Sequence, residues 1–178
     1  MNASQMERKS LLVITGSMGA GKTSVLGEAS DILAQQNIPH AAIDLDAFGL
    51  AHLPSRARND AVMYRNLQCV CKNYAALGVR RFLVARAIED RAALECCRAA
   101  VSARNLFVCR LTAKIGTMRQ RVKRRESGIL QKQFVARVAT LNSMLERARV
   151  EDLTLASDDR SVTQLAREML LKAGWISK

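Results

Sequence analysis

Leu11-Leu12-Val13-Ile14-Thr15-Gly16-Ser17-Met18-Gly19-Ala20-Gly21-Lys22-Thr23 is the stretch that decides how this chain folds. It opens with a short apolar run that stops at Gly16, as expected of a strand buried on both faces of a sheet. From Lys22 to about Gln36 the apolar residues Val25, Leu26, Ala29, Ile32 and Leu33 recur at helical spacing, and Asn37 and Pro39 close that helix. Between strand and helix, residues 16–23 match G-x-x-x-x-G-K-[ST] without deviation. Glycines let the backbone turn tightly, so that successive N–H groups point inward around a phosphate. The helix beginning at Lys22 aims the positive end of its dipole at the same anion. Lys22 is expected to reach the outer phosphates of a nucleotide. The Thr23 hydroxyl is expected to complete a magnesium shell otherwise made of water and phosphate oxygen. Gly16, Ser17, Met18, Gly19, Ala20, Gly21, Lys22, Thr23 and Ser24 form the expected nucleotide-binding set, with ATP and Mg2+ as ligands and Thr23 as the metal ligand.

Outward from this stretch, strands and helices alternate. His40 to Leu45 reads as a second strand. A longer helix starts near Arg58, with Met63, Leu67, Val70, Tyr74 and Leu77 as its stripe and Gly78 as its end. Arg81 to Ala85 is a third strand, and a helix runs from about Asp90 to Ala103. Leu106 to Leu111 is a fourth strand. The next helix, with the stripe Leu111, Ile115, Met118 and Val122, stops near Ser127-Gly128, and another carries Phe134, Val138, Leu141, Leu145 and Ala148. Leu153 to Leu155 is a brief fifth strand, and Val162, Leu165, Ala166, Met169, Leu170 and Ala173 mark the closing helix. Short connections between alternating elements predict an α/β fold: a five-stranded parallel sheet with helices on both faces, three layers in all. Ligands of such folds gather at the carboxyl ends of the strands. Residues 1–10 read as a polar tail, and residues 11–178 as one domain.

Asp44 and Asp46 stand where the second strand should end, and strand alternation puts their carboxylates on one side. Two acids beside a triphosphate suit two tasks: holding magnesium through its water shell, and accepting the proton of an attacking hydroxyl. Asp46 is the expected catalytic acid-base group, with Asp44 beside it toward the substrate; the bland alternative is that one of them caps the next turn.

A phosphate loop followed by Asp44-Leu45-Asp46 after the second strand resembles the adenylylsulfate kinase, gluconate kinase and chloramphenicol phosphotransferase group, within the nucleoside-monophosphate-kinase-like P-loop proteins. The resemblance implies a P-loop NTPase fold with sheet order 2-3-1-4-5. It assigns an Asp pair at this place to acceptor binding and base catalysis. The chain departs from the pattern after the third strand, where Arg86-Ala87-Ile88-Glu89-Asp90 lacks both the Asp of nucleoside monophosphate kinases and the Ser-Pro of adenylylsulfate kinases. No single acceptor class follows.

Arg119, Arg121, Lys123, Arg124 and Arg125 crowd one helix end. At 100° per residue Arg121, Arg124 and Arg125 share one flank of the apolar stripe, with Arg119 and Lys123 on the other. Similar kinases carry a lid here, which implies a small helical lid at about 115–132, hinged at Ser127-Gly128. Its arginines Arg121, Arg124 and Arg125 would act with Lys22 and Asp46 as the catalytic set. A solvated basic face is the alternative. Arg86 either holds an anionic acceptor or pairs with Glu89 or Asp90. His52 lies on the loop expected to face the acceptor, though a surface histidine fits it as well. Ser157-Asp158-Asp159 either contacts the adenine or caps the last helix, and Trp175 packs that helix.

The chain has 178 residues, enough for one domain with a proper core. Its net charge of +12 arises entirely in residues 72–149, which carry eighteen basic and five acidic side chains. Such a field attracts anions of any kind. Five cysteines, none spaced as CxxC, read as reduced and mostly buried thiols. No apolar run approaches the ~20 residues of a membrane span, and no secretory signal opens the chain, so a cytoplasmic location is expected. The leading expectation is an ATP-dependent kinase acting on a hydroxyl of a small molecule. The alternatives are an end kinase for nucleic acid, which scarce aromatics disfavour, and a nucleotide-dependent regulatory binder that is not an enzyme.

Overall fold

The computed structural model describes residues 8–49 and 56–177. Five strands, β1 (Ser10–Gly16), β2 (His40–Asp44), β3 (Arg81–Ala85), β4 (Asn105–Thr112) and β5 (Leu153–Ala156), form one sheet in the order β2-β3-β1-β4-β5. Every pairing is parallel. β1 lies at the centre, with Ser10 opposite Arg81 on one side and Asn105 on the other. The expected sheet order and three-layer architecture are therefore present. The helices are α1 (Lys22–Gln35), α2 (Arg56–Ala76), α3 (Arg91–Val101), α4 (Ile115–Arg125), α5 (Gln131–Ala148) and α6 (Val162–Lys172).

Strand alternation splits the core in two. Leu12, Ile14, Leu83, Ala85, Cys109 and Leu111 face a cluster built from α1, α4, α5 and α6, which takes in Met118, Val122, Val138 and Met169. Trp175 packs into the same cluster beyond the end of α6. On the other face Leu11, Val13, Phe82, Val84 and Val108 meet Met63, Leu67 and Cys71 of α2 and Leu94 and Cys97 of α3. With so few aromatics, aliphatic side chains and thiols fill both layers. Cys71, Cys97 and Cys109 are buried, and burial pushes their thiols up to about 11, 12 and 12. Cys69 and Cys96 are exposed, and all five cysteines are free.

Several expectations need correcting. The buried seam of α2 runs through Met63, Leu67 and Cys71, whereas Tyr74 is 43% and Leu77 is 82% exposed. A four-residue step continues to the thiol rather than to the aromatic ring, and Ala75, one turn on, is the next to pack on that core, only partly buried. Leu111 belongs to β4, and the α4 seam is Met118 and Val122 with the partly buried Ile115. β1 takes in Ser10. β2 ends at Asp44, where a 3-10 turn, Leu45–Gly49, begins. The cap of α6 is Ser161, which forms a capping box with Gln164, so Ser157-Asp158-Asp159 does not cap that helix. His52 lies outside the described residues.

Candidate active site

The carboxyl end of β1 runs into the phosphate loop, which curls back on itself through a hydrogen bond from Ala20 N to Ser17 O of 3.2 Å. Two glycines have distinct reasons to be there. A Cβ on Gly19 (φ +79°) would sit 2.4 Å from the carbonyl oxygen of Met118, so only glycine lets α4 pack this close. Gly21 (φ +102°) has nothing within 4 Å of such a Cβ and stands open at the start of α1. No side chain caps α1, which leaves its first amides for an anion. Gly19, Gly21, Lys22, Thr23, Ser24, Arg121 and Arg125 line a cavity of about 210 Å³ over this helix end.

Lys22 Nζ donates to the carbonyls of Gly16 (3.0 Å) and Ser17 (3.3 Å), which hold the side chain along the loop. Burial lowers its pKa below the ordinary lysine value, opposed by the charges of Asp46 and Asp44. Thr23 Oγ1 donates to Asp44 Oδ2 at 2.7 Å, and Asp44 Oδ1 accepts from the amide of Asp46 at 3.3 Å. The two aspartates thus divide: Asp44 is turned to Thr23, while Asp46, in the 3-10 turn, is 58% exposed. Not every residue of the loop set faces the hollow. Ser17 is buried and donates to Val138 O at 2.9 Å, Ala20 is part of the core, and Gly16 lies against Leu111 O.

A second cavity of about 440 Å³ adjoins the first and shares Lys22, Thr23 and Arg125 with it. Asp46, Arg86, Glu89, Glu126, Phe134 and Arg137 are among its lining, with Met18 and Leu141. Arg86 pairs with neither Glu89 nor Asp90. Its guanidinium reaches Asp46 (3.4 Å) and Asp60 (3.1 Å), and it is only 17% exposed. Its Nε is buried without a partner. Asp90 caps α3 through the amide of Ala93, and Glu89 pairs with Arg137 at 2.9 Å. The loop carrying these groups is tied to β1 by Arg86 N to Ile14 O and Ile88 N to Thr15 Oγ1.

The basic helix end is sorted rather than shared. Arg121 donates to Gly19 O (3.2 Å), Ser157 Oγ (3.0 Å) and Ser157 O (3.0 Å), while Ser157 Oγ donates to Ala20 O at 3.0 Å. Two carbonyls of the phosphate loop are thereby held, Gly19 O by Arg121 and Ala20 O by Ser157. Arg125 lines both cavities and pairs with Glu126 at 2.8 Å. Arg124 lines neither. Arg119 and Lys123 line a separate groove with Lys132. Of the lid segment, Met118 and Val122 are fully buried, and Ile129, at the α4–α5 turn, is 98% exposed. Among the described residues no group of three or more His, Cys, Asp or Glu could hold a metal ion.

Sequence reasoning missed Arg137, Glu89, Glu126 and Phe134 as lining residues, and read Ser157 only as an adenine contact or a cap. Arg137 had left a signal: it interrupts the apolar seam Phe134, Val138 and Leu141 with a charge. The Arg121–Ser157 contact spans thirty-six positions and left none.

Neither a protein-family model nor a curated protein sequence matches the chain. Solved structures do. A sugar kinase from Janibacter sp. is similar at 17% identity over 94% of this chain and 96% of that one, with a TM-score of 0.67. The APS kinase of Mycobacterium tuberculosis, solved with AMPPNP and APS, is similar at 20% identity over 93% and 97%, with a TM-score of 0.61. Shikimate kinase from Acinetobacter baumannii, solved with shikimate, is similar at 17% identity over 96% of each chain, with a TM-score of 0.58. At these identities the likeness establishes the fold, which is that of the P-loop kinases.

Proposed function

We propose that the protein transfers the γ-phosphoryl group of ATP to a hydroxyl of a small molecule. One observation carries this reading: the phosphate hollow opens into a second, metabolite-sized cavity, and Lys22, Thr23 and Arg125 face both. A sensor that only binds nucleotide needs no second cavity with an acid at its mouth. A nucleic-acid end kinase is less well supported, because Phe134 is the single aromatic among the described lining residues.

In this reading the loop amides and Lys22 hold the β- and γ-phosphates. Thr23 and Asp44 present a hydroxyl and a carboxylate oxygen 2.7 Å apart, a hard-oxygen set that suits magnesium, which favours one or two carboxylates with phosphate and water. Magnesium, when bound, neutralises charge on the phosphate oxygens. Asp46 accepts the proton of the acceptor hydroxyl, and Arg86 orients that carboxylate from 3.4 Å. Arg125, at the end of α4, supplies positive charge to the transferring group, and the α4–α5 turn closes over it as a lid, excluding water. Arg121 lines the first cavity while holding Gly19 O and Ser157, and Arg124 lines neither cavity. The free thiols fit a reducing compartment, and the reading assigns the protein to the cytoplasm.

The test is ADP release from MgATP across a panel of hydroxyl compounds, with two variants. Lys22→Ala should lose ATP binding. Asp46→Asn should keep ATP binding and lose transfer by about 100-fold or more, the usual scale for a general base. Unchanged turnover in Asp46→Asn would remove that residue from the mechanism.

A further inference from the structure

The second cavity is full of charge, yet almost none of it is uncommitted. Its described lining contains the cations Lys22, Arg86, Arg125 and Arg137 and the carboxylates of Asp46, Glu89 and Glu126. Lys22 serves the phosphates in the reading above, on which this inference rests. Each of the three guanidiniums, Arg125 of the transferring-group reading included, already has a carboxylate beside it: Arg86 has Asp46 at 3.4 Å, Arg125 has Glu126 at 2.8 Å, and Arg137 has Glu89 at 2.9 Å. Asp60 adds a second carboxylate to Arg86 at 3.1 Å.

We propose that the acceptor is an uncharged polyhydroxylated molecule of monosaccharide or cyclitol size, read by these arginine–carboxylate pairs. A carboxylate, sulfate or phosphate on the acceptor would have to displace a carboxylate already in place, and would then face the others at close range. A cationic acceptor meets the mirror-image difficulty among four positive groups. A hydroxyl is different because it donates and accepts at once. Each pair offers a carboxylate to receive its proton and a guanidinium N–H to reach its lone pair, side by side, and charge-assisted bonds of this kind are stronger than neutral ones. Phe134, Met18 and Leu141 give the same cavity an apolar wall for the C–H face of a ring. At about 440 Å³ the space is ample for such a ring. Arg86, read from sequence as either holding an anionic acceptor or pairing with Glu89 or Asp90, instead positions Asp46, and the Arg137–Glu89 pair becomes the specificity-determining element.

The experiment offers the full-length protein, at saturating MgATP, three matched arms of acceptors: neutral hexoses and inositols, the corresponding sugar acids, and the corresponding amino sugars. ADP release and formation of the phosphorylated product are followed together. The expected result is turnover of at least one neutral compound, with kcat/KM at least 10-fold above its acidic and basic partners. For that compound Arg137→Gln should raise the acceptor KM about 10-fold with little change in the KM for ATP, and Arg137→Lys should recover part of the loss. Preference for the acidic or basic arm overturns the proposal while leaving phosphotransfer intact. An acceptor KM unmoved by Arg137→Gln overturns it too. Silence in all three arms, with ATP binding intact, counts against the phosphotransfer reading and removes this inference with it.

Discussion

Arg121 shows how a single side chain can line a cavity and brace the loop beside it at once. On a helical wheel it belongs with Arg124 and Arg125, facing a ligand. In the fold its two terminal nitrogens are spent on Gly19 O and on Ser157, and Ser157 in turn holds Ala20 O. The bond to Gly19 O, and the one that Ser157 makes to Ala20 O, restrain the loop that leads into the open first amides of α1. In the proposed function the residue would act on nucleotide binding by holding that loop in shape. Hydrogen bonds to charged groups are worth about 1.5–3 kcal/mol, and neutral ones about 1. Arg121→Ala should thus raise the KM for ATP about 10-fold or more, with a smaller change in kcat. Ser157→Ala should follow in the same direction and more weakly. Steady-state kinetics separates the roles: a fall in kcat at constant KM would return Arg121 to stabilising charge on the transferring phosphate.

At the scale of elements, α4 and the phosphate loop form one packed unit, since Gly19 touches the Met118 carbonyl and Ser17 is tied to α5. The two glycines of the loop should respond differently for this reason. Gly19→Ala adds a clash against backbone to a left-handed conformation that itself costs about 1–3 kcal/mol, so both folding stability and ATP affinity should drop. Gly21→Ala meets no protein atom, so its stability loss should stop at that conformational cost while the methyl intrudes on the phosphate hollow. Thermal melts paired with ATP titration check this, and a larger stability loss at Gly21 than at Gly19 would refute the packing argument. The strand–loop–α1 unit and β3 were legible because contiguous residues carry them: an apolar run, then a motif with a backbone reason for each position. The seam of α2 was less so. Cys71 and Tyr74 both fit a period of 3.6, and only the reach of β2 and β3 decides which is covered. The cavity lining from Glu89, Glu126, Phe134 and Arg137 depends on α5 crossing to the end of β3, a tertiary fact with no local spacing. Asp44 and Asp46 were found by their position after a strand, but their division of labour comes from a turn that begins one residue earlier than the strand pattern implied.

For the whole molecule, the parallel order places β1 between β3 and β4, so the ends of all three open toward one cleft. The phosphate loop, the turn after β2, the loop after β3, and α4 and α5 all line it. Nucleotide bound there would join elements from both layers of the core, and ligand that binds only the folded state adds stability by mass action. At 100 times its Kd, MgATP should contribute about 2.7 kcal/mol. For a chain of this size each kcal/mol moves the melting temperature by roughly 2–4 °C, so a rise of about 5–11 °C is expected. Lys22→Ala should abolish the rise. Leu67→Ala, in the layer between the sheet and α2, should lower the starting melting temperature through a cavity costing about 2–5 kcal/mol. It removes no group from the cleft, so the increment due to MgATP should survive nearly whole. Differential scanning fluorimetry on the three proteins, with and without MgATP, separates the outcomes. An increment lost in Leu67→Ala would mean that the nucleotide site depends on the far layer, and an increment absent from the parent protein would remove ATP from the account of this fold.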